Sequence, residues 1–335
     1  MLKSNLINEK ISVLVIGGAG YIGSHVVLEL CELGYNVIVF DNLSTGTESN
    51  LDNRATFIKG DILNDRDLEV LFNHKIDAIF HFAALKAAGE SMNDPSSYSK
   101  INISGTINIL NQMIKKNIKY FIFSSTAAVY GLPEYLPIDE KHSLKPINYY
   151  GFTKLEIEKI LNWYSQLKGI SFAALRYFNA AGYDSQSRIK GLEKNPANLL
   201  PIIMEVAIGA RTNVEIYGND FNTTDGTGVR DYIHVSDLAS AHIKSLNYLF
   251  KEKKNLTINL STGKGTSVMD VVKLAEKITC KSIPYKIIKR RDGDASEMVS
   301  SNSLANDLLD WNSKESNIEN ILDSMWTIYS QININ

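Results

Sequence analysis

The sequence predicts an α/β fold: a doubly wound parallel sheet with a smaller C-terminal α/β domain. Three observations predict it. Short β-branched or aromatic runs alternate with stretches of helical period through the first half, the pattern of a parallel sheet covered by helices on both faces. A glycine cluster, Gly17-Gly18-Ala19-Gly20-Tyr21-Ile22-Gly23, joins the first strand-like run to the first helix-like one. From Ala180 the texture changes, and residues 180–230 are rich in Gly, Asn, Asp and Thr with little periodicity.

Ile11–Ile16 is apolar and β-branched and reads as the first strand. Tyr21–Leu33 has helical period, and Gly34-Tyr35 ends it. Asn36–Phe40, Thr56–Lys59, Ala78–Phe82 and Tyr120–Ser125 are further strands, with Asp65–Phe72 and Tyr98–Lys115 as helices between them. Tyr150–Leu167 is the next helix and Ser171–Phe178 the next strand. A stretch like 180–230 usually lies at a ligand; a plain surface insertion is the alternative. Later strands are expected near Ile216–Tyr217, Tyr232–Val235 and Thr257–Leu260, and helices near Val235–Phe250 and Val268–Thr279. Residues 1–179 are expected to form the first domain, rejoined by about 231–262, and 180–335 most of the second.

A chain of 335 residues has length for about two domains and a sizeable core. The hydrophobic fraction of 44% and charged fraction of 21% are those of an ordinary soluble protein. A net charge of -2 leaves no basic excess to hold a phosphate backbone, so no nucleic-acid partner is expected. Cys31 and Cys280 form neither a metal-ligand spacing nor a disulfide framework, which fits a reducing compartment, and no metal is expected. No run reaches the length of a membrane span. The apolar stretch after Met1–Lys10 is short and breaks at Gly17, so it reads as a strand rather than a signal peptide. The cytoplasm is the expected location, with no membrane partner.

The glycines fit G-x-x-G-x-x-G from Gly17 and G-x-G-x-x-G from Gly18. At Gly17, Gly20 and Gly23 a side chain would block the turn, the approach of backbone to a pyrophosphate, or helix–strand packing. The helix N-terminus adds unsatisfied N–H groups and partial positive charge. A tight turn with no ligand is the alternative, but the strand before and helix after are the required context. Asp41 ends the second strand about 20 residues on, where a carboxylate can accept both ribose hydroxyls. No arginine follows in Asn42-Leu43-Ser44-Thr45-Gly46. A 2′-phosphate would meet negative charge there, so NAD is favoured over NADP.

Tyr150 and Lys154 stand one helical turn apart on one face. Free tyrosine, with a pKa of about 10, is a poor base at neutrality. A neighbouring ammonium and a positive nicotinamide ring favour the phenolate, which can take a proton from a substrate hydroxyl as hydride leaves the same carbon. The alternative is a surface tyrosine beside a surface lysine. Phe121-Ile122-Phe123-Ser124-Ser125-Thr126 is a strand whose C-terminal end carries hydroxyls, where ligands of open α/β sheets sit. Thr126 can hydrogen-bond the reacting hydroxyl, or merely cap the strand.

On these residues the chain resembles the extended short-chain dehydrogenase/reductase family, and within it the nucleotide-sugar 4-epimerases. Matching stretches are Gly17–His25, Asp41–Leu43, Gly60–Ile62, His81–Ser91, Phe121–Gly131, Leu175–Asn179, Tyr217–Asp237 and Arg290–Asp294, with Asp225–Val235 the most distinctive. The resemblance implies a Rossmann-type NAD domain in which Tyr21, Ile22, Asp41–Gly46, Asp61, Ile62, Phe82, Ala83, Ala84, Leu85, Lys86, Asn102, Ser124 and Phe178 line the cofactor with Tyr150 and Lys154. It implies a UDP-sugar substrate held by Thr126, Asn179, Asn198, Leu199, Tyr217, Arg230, Tyr232, Arg291, Asp294 and Met298. Arginine suits a diphosphate through its forked donors; an ion pair with Asp231 is the plainer reading of Arg230. A homodimer through helices Tyr98–Lys115 and Tyr150–Leu167 is implied as well.

The implied activity interconverts UDP-glucose and UDP-galactose through a transient 4-keto sugar that turns over and takes its hydride back on the other face. Met298 falls where size separates plain hexoses from N-acetylated ones, or only fills an apolar gap. Related dehydratases and decarboxylases carry an acid after the strand-end Thr or Ser, whereas this chain has Thr126-Ala127-Ala128-Val129-Tyr130-Gly131, and alanines transfer no protons. A UDP-glucuronate 4-epimerase and a non-enzymatic dinucleotide sensor compete with this activity.

Overall fold

Ser12–Ile16 is buried along its whole length, and its side chains divide by the period of two that a strand imposes. In the computed structural model, which describes residues 10–193, 196–291 and 293–332, Val13 and Val15 join one apolar core. Val26 and Leu30 of helix Tyr21–Glu32 and Leu238 and Leu246 of helix Val235–Glu252 complete it. Leu14 and Ile16 join another core with Ile109 and Met113 of helix Gly105–Lys115 and Ile157 and Leu161 of helix Tyr149–Lys168. A strand apolar on both faces needs helices on both, which makes the sheet doubly wound. Of the segment read as no signal peptide, Met1–Glu9 lies outside the described residues.

Seven strands pair in parallel, in the order Leu256–Leu260, Ser171–Tyr177, Tyr120–Thr126, Ala78–His81, Ser12–Ile16, Asn36–Asp41, Thr56–Lys59. The winding reverses between Ser12–Ile16 and Ala78–His81, the position where open sheets of this kind leave a crevice. All strands run one way, so their C-terminal ends share one edge. Ile16 pairs with Phe40 and His81, His81 with Phe123, and Thr126 with Tyr177. The residues that follow these ends are therefore gathered on one side of the sheet.

Helix Tyr98–Lys115, expected to be continuous, is not. Pro95–Tyr98 is one helical turn, Ser99–Ser104 is a π-helical segment, and a regular helix runs only over Gly105–Lys115. Such wide turns often serve a site. Here the π segment carries Asn102, whose Oδ1 accepts from Leu85 N at 2.8 Å and whose Nδ2 donates to Leu85 O and to Thr153 Oγ1, both at 3.0 Å.

Residues 180–230 carry more regular structure than their pattern predicts. Asn179–Ala181 pairs with Tyr232–His234, Val214–Tyr217 with Tyr285–Ile288, and Val229–Arg230 lies between Thr266–Ser267 and Glu297–Met298. Leu199–Ala207 is a helix that shows no polar stripe because it is apolar nearly all round. Pro201 sits in its first turn, where a missing N–H removes no helical bond. Leu200, Ile203 and Met204 pack with Val271 and Ala275 of helix Val268–Thr279 and with Ile321 and Met325 of helix Ile318–Tyr329, the core of the second unit. Among the described residues no helix is long and apolar enough to cross a membrane.

The C-terminal part is fastened back onto the sheet through Trp311. Its indole is buried in the first core, and Nε1 donates to Asp237 O at 3.0 Å. The Asp237 carboxylate accepts from Lys314 N, Glu315 N and Ser316 Oγ. Trp311→Ala should cost about 3–5 kcal/mol, read as a lower urea midpoint at unchanged m-value; a loss below about 1 kcal/mol would show that this fastening is dispensable.

Candidate active site

The crevice begins at Gly17, which turns with φ +80° and donates its N–H to Phe40 O at 2.8 Å. A Cβ there would stand 2.6 Å from Ala83 N, so only glycine lets this loop abut Phe82 and Ala83. A Cβ on Gly23 would run into the Gly17 carbonyl. Gly20 is the N-cap of helix Tyr21–Glu32 and offers no side-chain cap, which leaves the first N–H groups of that helix for a ligand. The Tyr21 hydroxyl donates to Gly182 O, tying this turn to the segment after the sheet.

Asp41 closes one side. Its Oδ2 accepts from Ala19 N at 3.0 Å and its Oδ1 from Leu43 N at 2.8 Å, and each oxygen keeps capacity for a further donor. Asn42 Nδ2 donates to Asp61 Oδ2 at 3.0 Å, and Ser44 N to Asn42 Oδ1 at 3.0 Å. Gly46 packs against Ala19 with no room for a Cβ, and Thr45 precedes it on the same rim. Ile62 is buried against Gly105. Across the crevice, Lys86 Nζ stands 2.6 Å from Glu193 Oε1. Glu193 lies in the non-periodic stretch, and no pattern in the sequence singles it out. This cradle fits a dinucleotide: close backbone approach, free helix N–H groups and a fixed carboxylate stand where pyrophosphate and ribose would lie.

The reacting groups meet at the end of strand Tyr120–Thr126. Asn148 caps helix Tyr149–Lys168 by accepting from Gly151 N at 2.8 Å, and this sets Tyr150 in its first turn. Lys154 is buried beneath it, with Nζ donating to Ser124 O at 2.8 Å. That nitrogen lies 4.7 Å from the centroid of the Phe123 ring and 5.9 Å from that of Tyr150. Burial lowers the Lys154 pKa to about 7, and the Glu158 charge opposes the fall. Burial raises Tyr150 to about 12, more than its hydrogen bond with Thr126 offsets. Thr126 Oγ1 also accepts from Ala128 N at 3.2 Å, so it caps the strand and faces the phenol together. Ser124 Oγ is bonded to the Tyr177 hydroxyl.

A second cavity adjoins this end. Asn179, Asn198, Leu199, Tyr217, Arg230, Tyr232, Arg291 and Asp294 all line it. Arg291 lies over the Tyr217 ring, 3.7 Å from its centroid. Arg230 pairs with Asp294, so the plainer alternative, an ion pair with Asp231, is not what forms. The Asp231 carboxylate is turned away, accepting from Thr262 N and Oγ1 and from Gly263 N. Asn198 caps helix Leu199–Ala207 without a side-chain bond, so the N-terminus of that helix opens on the cavity. Met298 lies between the two places: its strand pairs with Val229–Arg230, and its side chain packs with Phe178 against Ala127, Val129 and Tyr130.

In the protein without cofactor, Tyr150 should stay a neutral phenol until pH nears 12, because burial outweighs its hydrogen bond with Thr126. The difference in phenolate absorbance between cofactor-free protein and Tyr150→Phe measures this, and ionisation near or below pH 10 would contradict it. The sign follows from burial, which penalises the charged form.

Comparison with known proteins agrees with this geometry. Residues 13–261 match the model of the NAD dependent epimerase/dehydratase family. The UDP-glucose 4-epimerase of Halalkalibacterium halodurans is 42% identical over 321 residues, which is 96% of this chain and 96% of that protein. The crystal structure of UDP-glucose 4-epimerase from Brucella ovis in complex with NAD superposes with a TM-score of 0.92 at 39% identity, covering 95% of this chain and 98% of the other. That from Bifidobacterium longum, in complex with NAD+ and UDP, gives a TM-score of 0.90 at 37% identity, with coverage of 96% and 98%.

Proposed function

The chain belongs to the NAD dependent epimerase/dehydratase family, and from that membership we propose that it is a NAD-dependent isomerase that interconverts UDP-glucose and UDP-galactose at C4 of the sugar. The observation that carries the reading is the buried Lys154 ammonium, set between the Ser124 carbonyl and the Tyr150 ring beside the glycine cradle. Bound NAD supplies the acceptor and returning donor of the sugar's C4 hydride. Lys154 favours the phenolate of Tyr150, which takes the 4′-hydroxyl proton, holds it as a neutral phenol while the keto sugar turns, and then gives it back. Thr126 orients the hydroxyl. Asp41 holds the ribose, and the N-terminus of helix Tyr21–Glu32 the pyrophosphate.

Arg230, Arg291 and the N-terminus of helix Leu199–Ala207 hold the UDP diphosphate, with Tyr217 and Asp294 near the base. The sugar reaches toward Thr126 past Met298 and Phe178, where contacts are apolar and permit it to turn. Ala127 and Ala128 offer no acid for elimination. Residues 10–179 with 231–262 serve the cofactor, and the remainder serves the nucleotide sugar. Phe152, Trp163 and Leu167 stay exposed on helix Tyr149–Lys168, as Ile114 does on helix Gly105–Lys115, apolar groups suited to a second copy of the chain.

Purified protein given UDP-galactose without added cofactor should form UDP-glucose, and Tyr150→Phe should reduce kcat by about 100-fold or more while leaving UDP binding intact. Well-folded protein that makes no product would refute the activity; full turnover in Tyr150→Phe would remove that residue from its role. Met298→Tyr should depress turnover of UDP-N-acetylhexosamines more than that of UDP-hexoses, because a larger ring narrows the sugar's path. Equal loss on both, in side-by-side assays, would place Met298 outside that path.

A further inference from the structure

Glu158 lies one helical turn beyond Lys154 on the same helix and is buried. Its Oε1 accepts from Arg176 Nε at 3.0 Å and from Ser125 Oγ at 2.5 Å, and its Oε2 accepts from Arg176 Nη2 at 2.5 Å. Arg176 is buried as well, and its Nη1 donates to the Tyr130 hydroxyl at 3.0 Å, which donates to Asn259 Oδ1 at 2.6 Å. Ser125 and Arg176 are direct register partners on neighbouring strands, between the pairs Ser124–Leu175 and Thr126–Tyr177. One carboxylate thus fastens the reactive helix to both strands at the level of the reacting groups. Neither Glu158 nor Arg176 lines the nucleotide cavity.

We propose that Glu158 is a positioning residue for the reaction: its carboxylate, locked by Arg176 and Ser125, keeps a negative charge one turn from the Lys154 ammonium and so holds Tyr150 ready as a base. The proposal rests on the epimerase reading above for its substrate and on geometry for its residues. A buried ion pair is a poor device for stability alone, since apolar residues of similar volume serve as well or better. Burial drives Lys154 toward its neutral form, and Glu158 is the charge that opposes this. Beside Arg176 stand Tyr130 and the Glu140 carboxylate, whose Oε1 accepts from Asn259 N at 2.7 Å. Tyr150 shares the helix, His81 comes from strand Ala78–His81, Arg176 and Tyr177 come from strand Ser171–Tyr177, and Tyr98 faces Tyr150. His81 is held neutral by burial and the Lys154 charge, and burial raises Tyr177, so neither supplies an anion at neutrality.

The test uses the NAD-loaded protein. Glu158→Gln removes the charge and keeps the shape; Glu158→Gln with Arg176→Met also removes the cation left unpaired. In whichever variant folds, judged by thermal melting, the alkaline limb of the kcat–pH profile, where Lys154 loses its proton, should move toward acid by about one unit, about a tenfold loss above it. At a pH just above that limb the phenolate absorbance of Tyr150 should be lower than in the unaltered protein. A lower kcat with an unmoved alkaline limb and unchanged phenolate absorbance assigns Glu158 to structure alone and overturns the proposal, as does failure of both variants to fold. Wild-type protein without epimerase activity would instead count against the proposed function, and the Tyr150 titration would still read Glu158.

Discussion

The site depends on one buried cation. An ammonium withdrawn from water tends to shed its proton, and Lys154 is withdrawn almost completely. What keeps it in place is a carbonyl of the strand beneath it, Ser124 O, and a helix whose first turn is set by Asn148. Without cofactor the phenol's own burial holds Tyr150 at about 12, so that ammonium would favour the phenolate together with the positive nicotinamide ring of bound NAD+. The folded framework positions this pair: a parallel sheet brings Thr126 to the edge where Gly17, Asp41 and Phe82 also emerge, and the reactive helix lies across that edge.

Two converging surfaces flank the end of strand Tyr120–Thr126. On one side, the glycine loop and Asp41 form a rigid cradle whose backbone contacts leave no space for side chains. On the other, Arg230, Arg291 and a free helix N-terminus converge on the cavity that suits a diphosphate. Near them Phe178 and Met298 pack against the small apolar cluster that includes Ala127. Firm ends and a loose middle are what an inversion at one carbon requires, since the sugar must present both faces to the same reacting groups.

Much of this was legible in the sequence because it rests on local chemistry. Strand and helix periods gave the sheet, and the glycine spacing gave the turn at Gly17. The four-residue spacing gave Tyr150 and Lys154, since helical geometry makes such pairs adjacent. Other features depend on distant residues. Helix Leu199–Ala207 is wrapped on most sides, so it has no polar stripe to betray its period. The π-helical turn that carries Asn102 answers to Leu85 and Thr153, far from it in the chain. The partner of Arg230 is Asp294, because the strand after Ser296 runs beside Val229–Arg230. Lys86 meets Glu193 across the crevice, a pairing that no spacing encodes. Glu158 stood in plain view four residues past Lys154, and only its pairing with Arg176 shows that it points inward.

The claim that a buried ammonium makes Tyr150 the base is tested most directly by the pH dependence of turnover in Lys154→Met protein that retains NAD. Turnover should be low at neutrality and recover as pH climbs toward the intrinsic pKa of a buried phenol. A profile lowered by the same factor at every pH, parallel to that of the unaltered protein, would contradict the account.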